Sequence, residues 1–183
     1  MATYSMHPLH FGDSTNIRLV QVLADSSLDY TTPISCKLHV VPLDHRPAYT
    51  ALSYVWDNAS VTKTILLDGE QFVVRENLWK FLNHWMATRA GTRDNDSYLW
   101  VDTISIDQGS IKERNHQVAI MGRIYSEAKM VIAWLGNNPP ALVEALQALQ
   151  RQFSDSHLCT EDLFDMHYEH FNTLQKNGYW TRV

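Results

Sequence analysis

The chain has 183 residues, 45% of them apolar and 19% charged, with a formal charge of −5 at pH 7. That length supports one domain with a substantial core, and the composition is that of a folded globular protein rather than a disordered one. A net negative charge with no cluster of Lys and Arg argues against nucleic acid as a partner, because binding to a phosphate backbone needs concentrated positive charge.

The N-terminal MATYSMHPLHFGDS has neither a basic start nor an apolar core, and nowhere does an uncharged apolar run approach the roughly 18 residues of a membrane span. Neither secretion nor a membrane partner is expected. Ile17 to Ala24 and Cys36 to Leu43 are rich in Val, Ile and Leu with partial alternation, which predicts two strands, with a loop over Asp25 to Pro33 between them. The only cysteines, Cys36 and Cys159, stand far apart and in no C-x-x-C or zinc-finger spacing. A reducing, cytoplasmic setting fits them best.

Tyr49 to Trp56 is an aromatic and β-branched run that stops at Asp57, Asn58, Ala59 and Ser60, a cluster of turn formers. Ser53, Tyr54, Trp56 and Asp57 therefore fall at or near the carboxyl end of a strand. Asp68-Gly69 between two apolar runs predicts a hairpin over Ile65 to Val74. Asn77 is placed to cap a helix whose Leu78, Phe81, Leu82 and Trp85 recur at helical spacing as a core-facing stripe, with Gly91 as its stop.

Leu99 to Gln117, LWVDTISIDQGSIKERNHQ, is a short apolar strand that runs through polar residues into a helix. In a regular strand Trp100, Asp102, Ile104 and Ile106 would share one face, which sets Asp102 among apolar neighbours, where a carboxylate needs a partner or a raised pKa. Ser110 and Glu113 fit the S-x-x-E capping box, so the helix is predicted to start near Ser110. Pattern leaves two readings open: a capped helix beside a paired core carboxylate, or a ligand site, since open α/β sheets hold ligands outside the carboxyl ends of strands and helix N-termini favour anions.

The helix is expected to run to Glu127 with Ile111, Val118, Met121 and Tyr125 on one side. Lys129 to Leu135, a near-continuous apolar run, predicts a strand buried on both faces. Strand, helix and strand make a βαβ unit, whose parallel pair implies an α/β fold with a right-handed crossover. The expected architecture is a mainly parallel central sheet flanked by helices, with a small β-hairpin insertion. Asn138-Pro139-Pro140 opens a further helix carrying Leu142, Leu146, Leu149 and Phe153, and Glu161 to Lys176 predicts another, ended by Gly178. His157, Cys159, His167 and His170 match no standard zinc ligand set, so no metal is expected. G-x-S-x-G, G-x-x-x-x-G-K-[ST] and G-x-G-x-x-G are all absent, which sets aside nucleophilic hydrolase, ATPase and Rossmann readings.

Several separated blocks occur together in one order: Tyr49 to Trp56, Asn77-Leu78, LWVDTISIDQ at 99 to 108, Glu113-Arg114, Gln117-Val118, Met121, Ile124-Tyr125, Ala128 and IAWLG at 132 to 136. This series resembles the heterokaryon-incompatibility (HET) domain family over roughly Arg18 to Gly136, with an echo at Tyr179 to Arg182. Asp57, Ser105 and Asp107 stand where the family pattern has Gly, Cys and Asn. One HET-like domain over 1–183 is expected, with 137–183 as its helical C-terminal part. The family pattern continues past the point where this chain stops, as expected of a piece of a longer protein or of a short member.

The resemblance implies a fungal intracellular domain of self/non-self recognition that triggers cell death. It also implies a TIR-like, flavodoxin-like fold, and some TIR domains cleave the nicotinamide–ribose bond of NAD with a glutamate. Glu113 takes that catalytic place, stabilising an oxocarbenium-like ribose. Asp102 would tune the site, Arg114 would meet phosphates or a carboxylate, and Tyr54 or Trp56 would stack on a ring. Ser53, Asp57 and Ser105 complete the nucleotide-binding positions. No cofactor is implied, NAD being the substrate. The opposing reading is a non-catalytic module that signals by self-association or through an activating protein partner, with Glu113 only a capping residue.

Overall fold

Runs of β-branched and leucine residues early in the chain form the longest of its described strands. A computed structural model describes residues 2–10, 15–23, 33–56, 60–89, 98–136 and 147. Helix α1 (Ala2–Met6) is followed by strands β1 (Asn16–Leu23) and β2 (Ser35–Pro42). Next come β3 (Tyr49–Tyr54), β4 (Thr62–Leu67), β5 (Glu70–Arg75), α2 (Glu76–Arg89) and β6 (Tyr98–Trp100). The one-turn helix α3 (Asp102–Ser105), α4 (Ile111–Ser126) and β7 (Met130–Trp134) close the series. The chain divides into two compact units, Met1–Trp134 and Leu135–Val183, and all these elements lie in the first. The helices expected after Asn138, Gln147 apart, and His157, Cys159, His167 and His170 lie outside the described residues, as does the Asp25 to Pro33 loop except for Pro33.

The described strands form a seven-stranded sheet in the order β5-β4-β2-β1-β6-β3-β7. It is α/β but mixed, which corrects the expectation of a mainly parallel sheet. β1 pairs antiparallel with both β2 and β6, and β4 with β5, whereas β2–β4, β3–β6 and β3–β7 are parallel. Alternation in a sequence marks a strand without naming its neighbour. The hairpin extends the sheet through the β2–β4 pairing rather than standing as an insertion. Its turn is as predicted: Asp68 (φ 53°) and Gly69 (φ 84°) both take the left-handed conformation that matches the twist of a tight hairpin. The βαβ unit also holds, since β6 and β7 flank β3 and both run parallel to it, with α4 between them in the chain.

Among the described residues two apolar clusters form the core. One gathers Leu78, Phe81, Leu82 and Trp85 of α2 with Val20, Leu52, Tyr54, Ile65, Leu67 and Leu99. Each such side chain stabilises the fold by about 1.5–3 kcal/mol as an upper bound. The other joins Ile17, Leu19, Tyr49, Ala51, Trp100 and Ile106 to Ile124 of α4.

Three local expectations change. Helix α2 starts at Glu76, so Asn77 does not cap it. Asn77 bridges instead, donating Nδ2 to the Val55 carbonyl (2.9 Å) and accepting from Trp134 Nε1 (2.9 Å). On α4, Ile111 and Val118 are exposed, and the buried stripe runs through Glu113, Gln117 and Ile124. Two polar residues open that inward face, so counting apolar positions alone rotates the helix. Strand β7 is the outermost described strand on its side of the sheet, with Met130 and Val131 exposed, rather than buried on both faces.

Candidate functional site

Strand β6 ends at Trp100, and the chain turns at once into α3 instead of continuing extended to Ile106. The Ser105 hydroxyl accepts the Val101 N–H (3.1 Å), and the Ser105 N–H donates to the Val101 carbonyl (2.7 Å), which closes the turn. Asp102 therefore begins a helix rather than joining a strand face. Its Oδ1 accepts the Thr103 N–H (2.7 Å) and the Thr103 hydroxyl (3.1 Å), and its side chain is half-buried. The Thr103 hydroxyl also bonds the phenol of the buried Tyr54. This chain of bonds ties together the carboxyl ends of β3 and β6.

Glu113 is held differently. As expected, Ser110 caps α4, its hydroxyl accepting the Glu113 N–H (3.3 Å). The reciprocal half of the capping box is replaced, because the Glu113 carboxylate turns inward and accepts the Asp107 N–H on Oε1 (2.6 Å). The same oxygen accepts Nη1 of Arg18, while Oε2 accepts Nη2 (3.1 Å), so guanidinium and carboxylate meet fork to fork. The pair is sealed, with Arg18 1% and Glu113 6% exposed. A buried charge is tolerated only when paired and fully hydrogen-bonded.

The rest of the Arg18 fork is also used. Nη1 donates to the Ser105 carbonyl (3.2 Å) and Nε to the His7 carbonyl (2.7 Å). The guanidinium lies over the Tyr4 ring, 4.9 Å from its centroid, and the Tyr4 hydroxyl donates to the Ile104 carbonyl (3.0 Å). Burial pushes the Tyr4 phenol well above its usual range; Arg18 opposes the rise, and Asp107 and Glu113 add to it.

The structure thus brings the expected residues into two groups. Tyr54 meets Asp102 through Thr103, and Ser105 meets Glu113 through Arg18. Ser53 is half-buried on β3 opposite Ala133 of β7. Trp56 is exposed, with the Arg75 guanidinium 5.2 Å from its ring centroid. Arg114 is exposed on α4, and Asp57 lies outside the described residues. Sequence reasoning missed Arg18, Tyr4 and Thr103. For Arg18 a signal existed: a cation inside the apolar run IRLVQVLA, in phase with Val20 and Val22, asks for a buried partner.

An α/β sheet whose strand-to-helix junction is locked by a buried arginine–glutamate pair is the class of domain this geometry defines. The family comes from comparison. The model of the family described as "Heterokaryon incompatibility protein (HET)" matches residues 49–183, a span that includes Glu113 and leaves out Arg18. The chain is also 31% identical over 153 residues to "Heterokaryon incompatibility protein 6, OR allele" of Neurospora crassa, a match that covers 78% of this chain. The chain belongs to the heterokaryon-incompatibility family. It spans 22% of that relative's length. No solved structure matches it.

Proposed function

We propose that this domain acts in heterokaryon incompatibility through protein contacts, as a self-assembling module, with Glu113 as the structural half of an ion pair. One observation carries the reading: both Glu113 oxygens are held by Arg18 in a pair sealed from solvent. A carboxylate that stabilises an oxocarbenium-like ribose does so with its negative charge, close to the sugar. Here a guanidinium cancels that charge at contact distance. The test is Glu113→Gln, which keeps Arg18 in place and an amide oxygen to accept from it while removing the carboxylate charge, introduced into the full-length protein in a fungal incompatibility assay. The module reading expects the incompatibility reaction to survive, and its loss from a folded Glu113→Gln variant would contradict it.

A second reading, glycohydrolysis of NAD or a related nucleotide by a TIR-like site, is favoured by a different observation. The Tyr54–Thr103–Asp102 chain sits at the carboxyl ends of two parallel strands, where open α/β sheets hold their ligands. In that reading Asp102 faces the nucleotide, and Glu113 must leave Arg18 to meet the ribose. Nicotinamide release that is lost in a folded Asp102→Asn variant would support it.

A further inference from the structure

We propose that the N-terminal arm, residues 2–10, is an inhibitory strap: seated, it clamps Arg18 onto Glu113 and withholds that carboxylate from solvent and ligand. Its consequence for chemistry rests on the nucleotide reading, in which Glu113 must leave Arg18; its control of access does not. The arm pairs with no strand of the described sheet, yet Thr3, Tyr4 and Leu9 are buried. His7 and Tyr4 meet Arg18 directly. The His7 carbonyl accepts from Nε (2.7 Å), and the Tyr4 ring covers the guanidinium plane, 4.9 Å from the ring centroid. Nη1 and Nη2 serve Glu113 and the Ser105 carbonyl. The arm thus satisfies the nitrogen that the junction leaves over and roofs the face of the cation.

The strap is anchored on either side of the pair. The Tyr4 ring packs edge-on against Phe72 of β5 (centroids 6.3 Å apart), its hydroxyl donates to the Ile104 carbonyl (3.0 Å), and His7 Nε2 stands 3.1 Å from Asp68 Oδ2 in the hairpin turn. Tyr4 is close enough for the charges of Arg18, Asp107 and Glu113 all to act on its phenol. This cover decides how firmly Glu113 is held. A sealed guanidinium and carboxylate have no water to exchange each other for, whereas an ion pair open to solvent contributes little and separates readily. Taking the ring away admits water to the face of Arg18, and hydration then competes with Glu113 for it. The freed carboxylate stands in the first turn of α4, close in sequence to the α3 turn whose Thr103 bonds both Asp102 and Tyr54.

The test uses the full chain with Tyr4→Ala, which removes the ring, beside Tyr4→Phe, which keeps the ring and drops only the hydroxyl. Two readouts follow Glu113 without needing activity. One is carbodiimide labelling of its carboxylate, located by peptide mass spectrometry; the other is hydrogen exchange of the Asp107 amide, which donates to Glu113 Oε1. Both should rise at least about tenfold in Tyr4→Ala and stay near the parent in Tyr4→Phe. Exchange of the Leu66 amide, bonded to the Ile34 carbonyl in the sheet, should stay as in the parent. Unchanged labelling and exchange at the junction of a folded Tyr4→Ala chain would overturn the proposal. So would a Leu66 amide that speeds up in step with Asp107, since the arm would then hold the whole fold rather than the pair. Should Tyr4→Ala not fold, Leu9→Ala loosens the arm at another buried position and takes its place. Nicotinamide release from NAD separates the strap from the reading beneath it. An exposed Glu113 in Tyr4→Ala without release upholds the strap and counts against the nucleotide reading. Release by a chain whose Glu113 stays protected overturns the strap and leaves nucleotide cleavage standing.

Discussion

Arg18 and Glu113 stand 95 positions apart and meet through a two-pronged contact that ties β1 to the first turn of α4. The pair holds the strand-to-helix junction from behind, since Arg18 also fixes the Ser105 carbonyl at the end of α3 and Glu113 fixes the Asp107 N–H in the connection that follows. Geometry at the carboxyl end of β6 thus depends on a residue near the start of the chain.

Removing one partner should cost more than removing both. Arg18→Met leaves a carboxylate buried without its cation, and denaturant unfolding should show a loss of about 3–5 kcal/mol. Arg18→Met/Glu113→Leu should recover the part due to the uncompensated charge, while the Ser105 and His7 carbonyls and the Asp107 N–H stay without their partners. A double variant no more stable than the single one would mean that the pair is not the source of the loss.

The α4 face gives a second prediction. Val118→Lys, at an exposed position, should change stability by no more than about 0.5 kcal/mol. Ile124→Ala, on the buried stripe, should cost about 2–5 kcal/mol. Thermal melts of the two variants decide which face of the helix is inside.

Asn77 links α2 to the ends of β3 and β7 through both atoms of its amide. Asn77→Ala should strand the Val55 carbonyl and the Trp134 indole N–H, at a cost of about 1–3 kcal/mol. Tryptophan emission should shift with it, and unchanged emission would argue against the Trp134 bond.

Alkaline pH should weaken the fold through Cys36. Burial, with a smaller push from Asp68, raises this thiol from its ordinary 9.0 to about 12. Between those values the unfolded chain loses the proton and the folded chain keeps it, so the folded state binds more protons. The contribution is fully present below about pH 9 and is lost as pH rises toward 12. Urea midpoints measured at about pH 8 and about pH 10 should fall more for the parent than for Cys36→Ala.

Local pattern made much of this fold legible. The β1 and β2 runs, the Asp68-Gly69 turn, the α2 stripe and the Ser110 cap all follow from residue spacing, because turn chemistry and hydrophobic period act over a few residues. What spacing does not carry is pairing across the chain. Nothing near Leu99 says that β6 lies between β1 and β3, nor that β1 runs antiparallel to it. The site divides in the same way. Glu113 stood out for its place after Ser110, but its real partner is Arg18, contributed by a distant strand. The α4 face misled for a related reason: Glu113 and Gln117 are buried against partners on β1, Arg18 and Asn16, which apolar periodicity within the helix does not register.

The most direct measurement is nicotinamide release from NAD by the purified chain at high concentration, with Glu113→Gln beside it and circular dichroism on both. A sealed, charge-compensated Glu113 predicts no release from the folded parent. Release by the parent that disappears in a folded Glu113→Gln variant would contradict the account and return Glu113 to the reacting ribose.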